Sequence, residues 1–296
     1  MPDDGRPRPS GSVGEVLGKA TERLQQAGVL NPKRESTALW AAVVGSTPGD
    51  VWVNREGIAA PEEADRFWKA VGRRAGGAPF PYAVGHAGFR NLDLLVDARA
   101  LIPRPETEGL VGLVLEWAGN RRDGHGLAAD VGTGSGCIAL ALAQEGEFAG
   151  VVATERSPQA AALARENVAR VAPRVPVEVR EGDLLGPLAG SRYRVIVSNP
   201  PYLTEEEYGA LDPSVRAYEP REALVSGVDG LDATRVLLSG AAALLEPGGL
   251  LALEIDEGRG AEVSALAHEH GWRRIGIHDD LFGRPRFALA FPGEGM

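Results

Sequence analysis

Two short runs carry the residue types from which chemistry could be built. The first, D-V-G-T-G-S-G over Asp130–Gly136, follows the apolar stretch 127–131 and opens a helical segment at 137–144. Glycines at positions 132, 134 and 136 allow a tight turn and let a ligand approach backbone N–H groups at a helix N-terminus. Gly134, Gly136 and Ala139 also fit the dinucleotide spacing, and Glu155, after the next apolar stretch, could bind a ribose hydroxyl in either kind of enzyme. The loop calls for a nucleotide or nucleoside cofactor, with a purely structural strand-to-helix turn as the alternative. It does not separate hydride transfer from methyl transfer.

The second run is Asn199-Pro200-Pro201-Tyr202, directly after the apolar stretch 194–198. In an open parallel sheet ligands bind outside the carboxyl ends of the strands, so this tetrapeptide is expected beside the glycine loop. Its chemistry suits a planar amino group. An amide nitrogen is a poor nucleophile because its lone pair is delocalised into the carbonyl. The Asn199 side-chain oxygen and the Pro200 carbonyl could accept its two N–H groups and aim the nitrogen at a methyl carbon. Proline brings an acceptor without a competing donor. Tyr202 could stack on the flat amide. The alternative is a proline-stiffened loop ending a strand.

These runs need a scaffold, and the sequence supplies alternation. Apolar stretches at 127–131, 151–154, 175–179, 195–197 and 250–255 alternate with helical patterns at 158–171 and 232–245, which predicts a parallel sheet with helices on both faces. No helical pattern separates 272–278 from 286–291, so these are expected as an antiparallel edge pair. Upstream, Ser12 and Glu15 have capping-box spacing before Val16, Leu17, Ala20 and Leu24. Asn31-Pro32 supplies an N-cap and first-turn proline for a second helix closed by Gly45, and Pro61 opens a third with Phe67, Trp68 and Val71. The expected organisation is a helical domain at 1–76, a β-hairpin linker at 77–104 turning at Arg90-Asn91, and a catalytic domain at 105–296.

Composition narrows the function classes. Over 296 residues the chain is 44% hydrophobic and 24% charged, as in ordinary globular proteins. No apolar run approaches the roughly 18 residues that cross a bilayer, and residues 1–12 resemble neither a signal nor a transit peptide, so a cytoplasmic protein without a membrane partner is expected. The one cysteine, Cys137, excludes an internal disulfide framework; a packing role is expected of it. Residues 1–100 hold 13 basic and 12 acidic side chains, residues 101–296 hold 18 and 29. The acidic C-terminal part should repel a phosphate backbone, so no direct nucleic-acid substrate is expected. His86, His125, His268, His270 and His278 show no metal-ligand spacing, so no metal is expected.

With these residues in view, the chain resembles the HemK/PrmC family, protein-glutamine methyltransferases that act on translation release factors. The resemblance covers most of residues 80–291. It rests on Pro81-Tyr-Ala-Val-Gly85, on I-P-R-P-E-T-E over 102–108, on the glycine loop, on Glu155-Arg-Ser-Pro158, on Asn199–Tyr202, on Glu219-Pro220, on Asp229-Gly-Leu231, and on Asp280, Gly283 and Arg286. It implies a seven-stranded, Rossmann-like class I methyltransferase domain behind a small helical domain that helps to recognise a protein substrate. It also implies that S-adenosyl-L-methionine is held at its methionine end by Gly132, Thr133, Gly134, Ser135 and Gly136, at its ribose by Glu155, and at its adenine by Asp183 and Leu184. Asn199 would also touch the cofactor, and Asn199, Pro200, Pro201 and Tyr202 would carry the catalysis. The family commonly has aspartate where this chain has Glu155, and E-x-G-x-x-Q where it reads Glu254-Ile-Asp-Glu-Gly-Arg259.

An in-line displacement onto a glutamine amide nitrogen, most naturally in the Gly-Gly-Gln loop of a release factor, is the function this implies. An adenine-amino nucleic-acid methyltransferase shares the planar-nitrogen logic, but acidity and the I-P-R-P-E-T-E segment disfavour it. A nicotinamide-dependent oxidoreductase leaves Asn199–Tyr202 unexplained, and a non-catalytic module would have no need for both motifs. Glu106 and Glu108 are expected to cap a helix starting near Thr107.

Overall fold

The computed structural model describes residues 11–120 and 125–293. Most of the polar N-terminal stretch read above for targeting signals therefore lies outside the described residues. The chain divides into two compact units, Met1–His86 and Ala87–Met296.

The first unit is helical. Ser12 and Glu15 form the expected capping box of α1 (Val13–Gln26), each side chain accepting the other's backbone N–H. Helix α2 (Pro32–Val44) starts at its proline and is closed by Gly45 in the left-handed region, but Asn31 makes no side-chain cap because its own backbone is left-handed at φ 52°. A helix absent from the sequence reading follows, α3 (Pro48–Val53), set by a Thr47/Asp50 capping box with Pro48 in the first turn. The helix opened by Pro61 is therefore the fourth, α4 (Pro61–Ala75). Its buried Phe67 meets Trp40 of α2 edge-on at 5.1 Å within a core shared by α1, α2 and α4.

The hairpin is shorter than expected. Phe80–Val84 forms a helical turn, α5, bracketed by Pro79 at its start and Gly85 at φ 88° after it. Proline at 81 sets a helical φ in the first turn, which takes residues 80–84 out of the hairpin expected over 77–104. The hairpin pairs β1 (His86–Phe89) with β2 (Leu92–Leu95) and turns at Arg90, whose φ is 51°.

The second unit is a seven-stranded sheet. In chain order it comprises α6 (Pro105–Gly119), β3 (Leu127–Val131), α7 (Cys137–Glu145), β4 (Gly150–Glu155), α8 (Pro158–Val171), β5 (Val177–Glu181), β6 (Tyr193–Ser198), α9 (Glu205–Ala210), α10 (Pro213–Tyr218), α11 (Asp232–Gly240), β7 (Leu245–Glu254), α12 (Gly260–Glu269), β8 (Arg274–Asp279) and β9 (Pro285–Phe291). The spatial order is β5-β4-β3-β6-β7-β9-β8; β5 to β7 run parallel, and β9 pairs antiparallel with both β7 and β8. Two hydrophobic cores, one on each face, bury the alternate side chains of β3, β6 and β7. That is why these strands read as unbroken apolar runs. The edge strand β5 sits two residues later than its apolar stretch suggested, starting after Pro176, which has no N–H to give a ladder. Helix α11 stops at Gly240 and tightens into a 3-10 turn over Ala241–Leu244, short of the expected end at 245.

The strand order reverses between β4 and β6, on either side of β3. Val131 pairs with Ser198, so the chain leaves β3 at Gly132 and β6 at Asn199 side by side. This is the crevice that a doubly wound sheet opens to ligands.

Candidate active site

A cavity of about 640 Å³ lies at that crevice. Gly132, Thr133, Gly134 and Ser135 form one wall, and Glu155, Asp183 and Leu184 line it from the ends of the neighbouring strands. The loop can make its turn because Gly132, Gly134 and Gly136 have φ values of 73°, 54° and 86°, a region that costs L residues roughly 1–2 kcal/mol each. Gly136 lies off the wall and acts as the left-handed entry to α7. Beneath the loop, Asp130 Oδ2 accepts the Thr133 hydroxyl at 2.5 Å and the Ala139 N–H at 3.0 Å. Burial pushes this carboxyl up to about 7.

Glu155 bends back over the loop. Its Oε2 accepts the Gly134 N–H at 2.9 Å and its Oε1 the Ser157 N–H at 2.8 Å. Each oxygen keeps a lone pair for another donor. Leu184 holds a left-handed φ of 42°, and its carbonyl accepts the Thr154 hydroxyl at 2.9 Å, which fixes the turn carrying Asp183.

These groups fit S-adenosylmethionine. Asp130 Oδ1 is buried without a hydrogen-bond partner, a Cβ on Gly132 would meet nothing within 4 Å, and Glu155 has acceptor capacity to spare. A cationic, hydroxyl-bearing cofactor would meet the carboxylates of Glu155 and Asp183 on this lining.

Of the tetrapeptide after β6, Asn199 and Pro201 line the cavity, whereas Pro200 is buried and Tyr202 is set back, and neither is on the wall. The Tyr202 N–H is taken by the Leu224 carbonyl at 3.2 Å, and burial pushes its phenol up to about 12. Asn199 Nδ2 donates to Thr107 Oγ1 at 3.1 Å, and the Thr107 hydroxyl donates to Glu254 Oε2 at 2.6 Å. Thr107 is 2% exposed and Glu254 1%. Burial pushes the Glu254 carboxyl up to about 7. Asp130, Thr107 and Glu254 each lie inside a sequence motif that carries no signal of their contacts, and those of Thr107 and Glu254 join distant parts of the chain.

The I-P-R-P-E-T-E segment forms the opposite wall with Arg104 and Thr107. Glu219 anchors it: Arg104 Nη2 donates to both of its oxygens, at 2.8 and 2.9 Å, and Glu219 is 5% exposed. Arg259 donates to both Glu207 oxygens at 2.7 Å and to the Asp229 carbonyl at 2.9 Å, tying α9 to the loop before α11. Neither Glu106 nor Glu108 is the cap of α6, which starts at Pro105; Glu108 accepts the Arg90 N–H at 2.9 Å instead. Burial pushes the Cys137 thiol up to about 12, which suits a packing role. Among the described residues no group of three or more His, Cys, Asp or Glu side chains is placed to hold a metal, and no helix is long and apolar enough to cross a membrane.

A sheet of this order, with a glycine loop after its central strand and an acceptor-bearing loop after the neighbouring one, defines a Rossmann-like methyltransferase of the class that uses S-adenosylmethionine. The chain is 43% identical over 283 residues to the release factor glutamine methyltransferase of Moorella thermoacetica, covering 95% of this chain and 98% of that one, and 40% identical to that of Deinococcus radiodurans, covering 93% and 97%. It belongs to the release factor glutamine methyltransferase family. Residues 15–85 match the family model of the PrmC N-terminal domain and residues 114–212 that of the methyltransferase small domain. A methyltransferase from Pyrococcus furiosus shares the fold at 21% identity and a TM-score of 0.52, covering 70% of this chain and 91% of its own. The human METTL16 catalytic domain, solved with an RNA hairpin, does so at 18% and 0.55, covering 78% and 81%.

Proposed function

We propose that this protein transfers a methyl group from S-adenosyl-L-methionine to the side-chain amide nitrogen of a glutamine, in the Gly-Gly-Gln loop of a translation release factor. One observation carries the reading: Asn199 and the glycine loop share one cavity at the switch point of the sheet. The cofactor supplies a methyl carbon already activated by a cationic sulfur, so the protein's task is positioning. In this reading the loop Gly132–Gly136 wraps the methionine part, Glu155 holds the ribose hydroxyls with its remaining lone pairs, and Asp183 and Leu184 flank the adenine. Asn199 Oδ1 accepts one N–H of the substrate amide. Pro201 walls the slot, and Pro200 and Tyr202 back it. The names of the relatives support a release factor as the partner, and the acidic balance of residues 101–296 argues against nucleic acid.

The helical unit contributes to recognising the protein substrate in this reading. It holds its own core and none of the cofactor motifs. Deleting it should spare cofactor binding and weaken protein methylation; full methylation by a folded truncated protein would contradict the role.

The function is tested by incubating the purified protein with S-adenosylmethionine and a purified release factor, then fragmenting the product by mass spectrometry. A single methyl on the glutamine of the Gly-Gly-Gln loop is expected. Methyl incorporation confined to RNA or DNA would overturn the assignment.

A further inference from the structure

An asparagine amide presents an acceptor at one end and two donors at the other, and only the acceptor end can hold the N–H of a substrate amide. Something must therefore choose which end faces the cavity. Asn199 carries its choice in a chain of two hydrogen bonds running into the protein: Asn199 Nδ2 to Thr107 Oγ1 at 3.1 Å, and Thr107 Oγ1 to Glu254 Oε2 at 2.6 Å. We propose that Thr107 and Glu254 are positioning residues that lock the Asn199 amide with its oxygen towards the substrate. This rests on the reading of Asn199 as the acceptor given above.

The direction of the chain follows from counting protons. Above its raised value of about 7 Glu254 is ionised and acceptor-only, so the one hydroxyl proton of Thr107 is then committed to it. The Thr107 oxygen then offers only lone pairs to Asn199, and only the Nδ2 end of the amide can meet them. Turned round, Asn199 would set its carbonyl oxygen against those lone pairs and present two donors to a substrate N–H. Both bonds are sheltered, because Thr107 and Glu254 are 2% and 1% exposed and Asn199 is half-buried, so water cannot easily replace either. The three groups come from different elements: Thr107 from the first turn of α6, Glu254 from the last residue of β7 and Asn199 from the residue after β6. Strands β6 and β7 pair through Ser198 and Leu253, which sets Glu254 and Asn199 one residue beyond the same rung.

The test is steady-state kinetics of the full-length protein with S-adenosylmethionine and a purified release factor, at a pH above the Glu254 value of about 7, together with calorimetric affinity for S-adenosylhomocysteine. Thr107→Val keeps the side-chain shape and removes the hydroxyl. It should lower kcat at least about tenfold, part of the 10²–10³ that one preorganised group contributes, while cofactor affinity stays within about twofold. Thr107→Ser, which restores the hydroxyl, should recover most of the rate. Thr107→Val on top of Asn199→Ala should cost nothing further, since Thr107 acts through Asn199. Should Thr107→Val fail to fold, Glu254→Gln serves: its amide can donate to Thr107 and release the hydroxyl proton towards Asn199, so kcat should again fall with affinity kept. Wild-type kcat in either folded variant, or costs that multiply with Asn199→Ala, would overturn the positioning chain. A wild-type protein that leaves the release factor unmethylated would instead overturn the functional reading.

Discussion

The Ser198 hydroxyl donates to the Val131 carbonyl at 2.7 Å, fully buried, and so clamps the last residue of β6 to the last residue of β3. The glycine loop begins one residue after one partner and the Asn199–Tyr202 loop one residue after the other. Ser198→Ala should lower the unfolding free energy by about 1 kcal/mol, the ordinary worth of one buried hydrogen bond. Urea unfolding checks this, and an unchanged midpoint would show that the clamp contributes nothing.

Gly132 sits at φ 73° with open space where a Cβ would stand, on the cavity wall. Gly132→Ala should therefore fold, at a cost of roughly 1–2 kcal/mol for the left-handed backbone. In the proposed reading the cofactor lies along this wall and the added methyl crowds it, so calorimetric affinity for S-adenosylhomocysteine should fall at least about tenfold, or 1.4 kcal/mol. Unaltered affinity would move the cofactor away from this wall.

Burial raises the Asp130 carboxyl from 3.8 to about 7 and the Glu254 carboxyl from 4.5 to about 7. Around Glu254, Arg286 and Arg104 oppose the rise and Glu106 adds to it; Glu155 adds to the rise at Asp130. The folded chain then holds two protons that the unfolded chain has released. Their contribution to stability is complete below the unfolded values and is lost as pH rises through the folded ones. Carboxyls held low, such as Asp229 beside Arg235 at about 2, act only at more acid pH. The melting temperature of the cofactor-free protein should fall between about pH 5 and about pH 8, and Glu254→Gln should flatten part of that fall. An equal slope in the variant would contradict the raised carboxyl.

The glycine loop and the tetrapeptide are legible in sequence because each is a run of adjacent residues with backbone demands of its own. The parallel core is legible because strands buried on both faces leave unbroken apolar runs. What the sequence withholds is long-range. Thr107 meets Asn199 across 92 positions and Glu254 across 147, and no periodicity links them. The hairpin linker expected over 77–104 is also shortened, because proline at 81 makes a helical turn of residues 80–84. Pro200 and Tyr202 belong to the motif but sit off the cavity wall, because the chain leaving β6 turns back at once to bond Leu224.

The account turns on Asn199 holding the acceptor amide, and Asn199→Ala tests that most directly. Turnover of the full-length variant on a purified release factor should fall on the order of 10²–10³, the scale for one preorganised group at a reacting centre. Affinity for S-adenosylhomocysteine should change far less, because the glycine loop, Glu155 and the Asp183–Leu184 turn remain in place. A loss confined to kcat is the mark of an interaction made in the transition state. A folded variant that binds the cofactor normally and turns over at the wild-type rate would contradict the account.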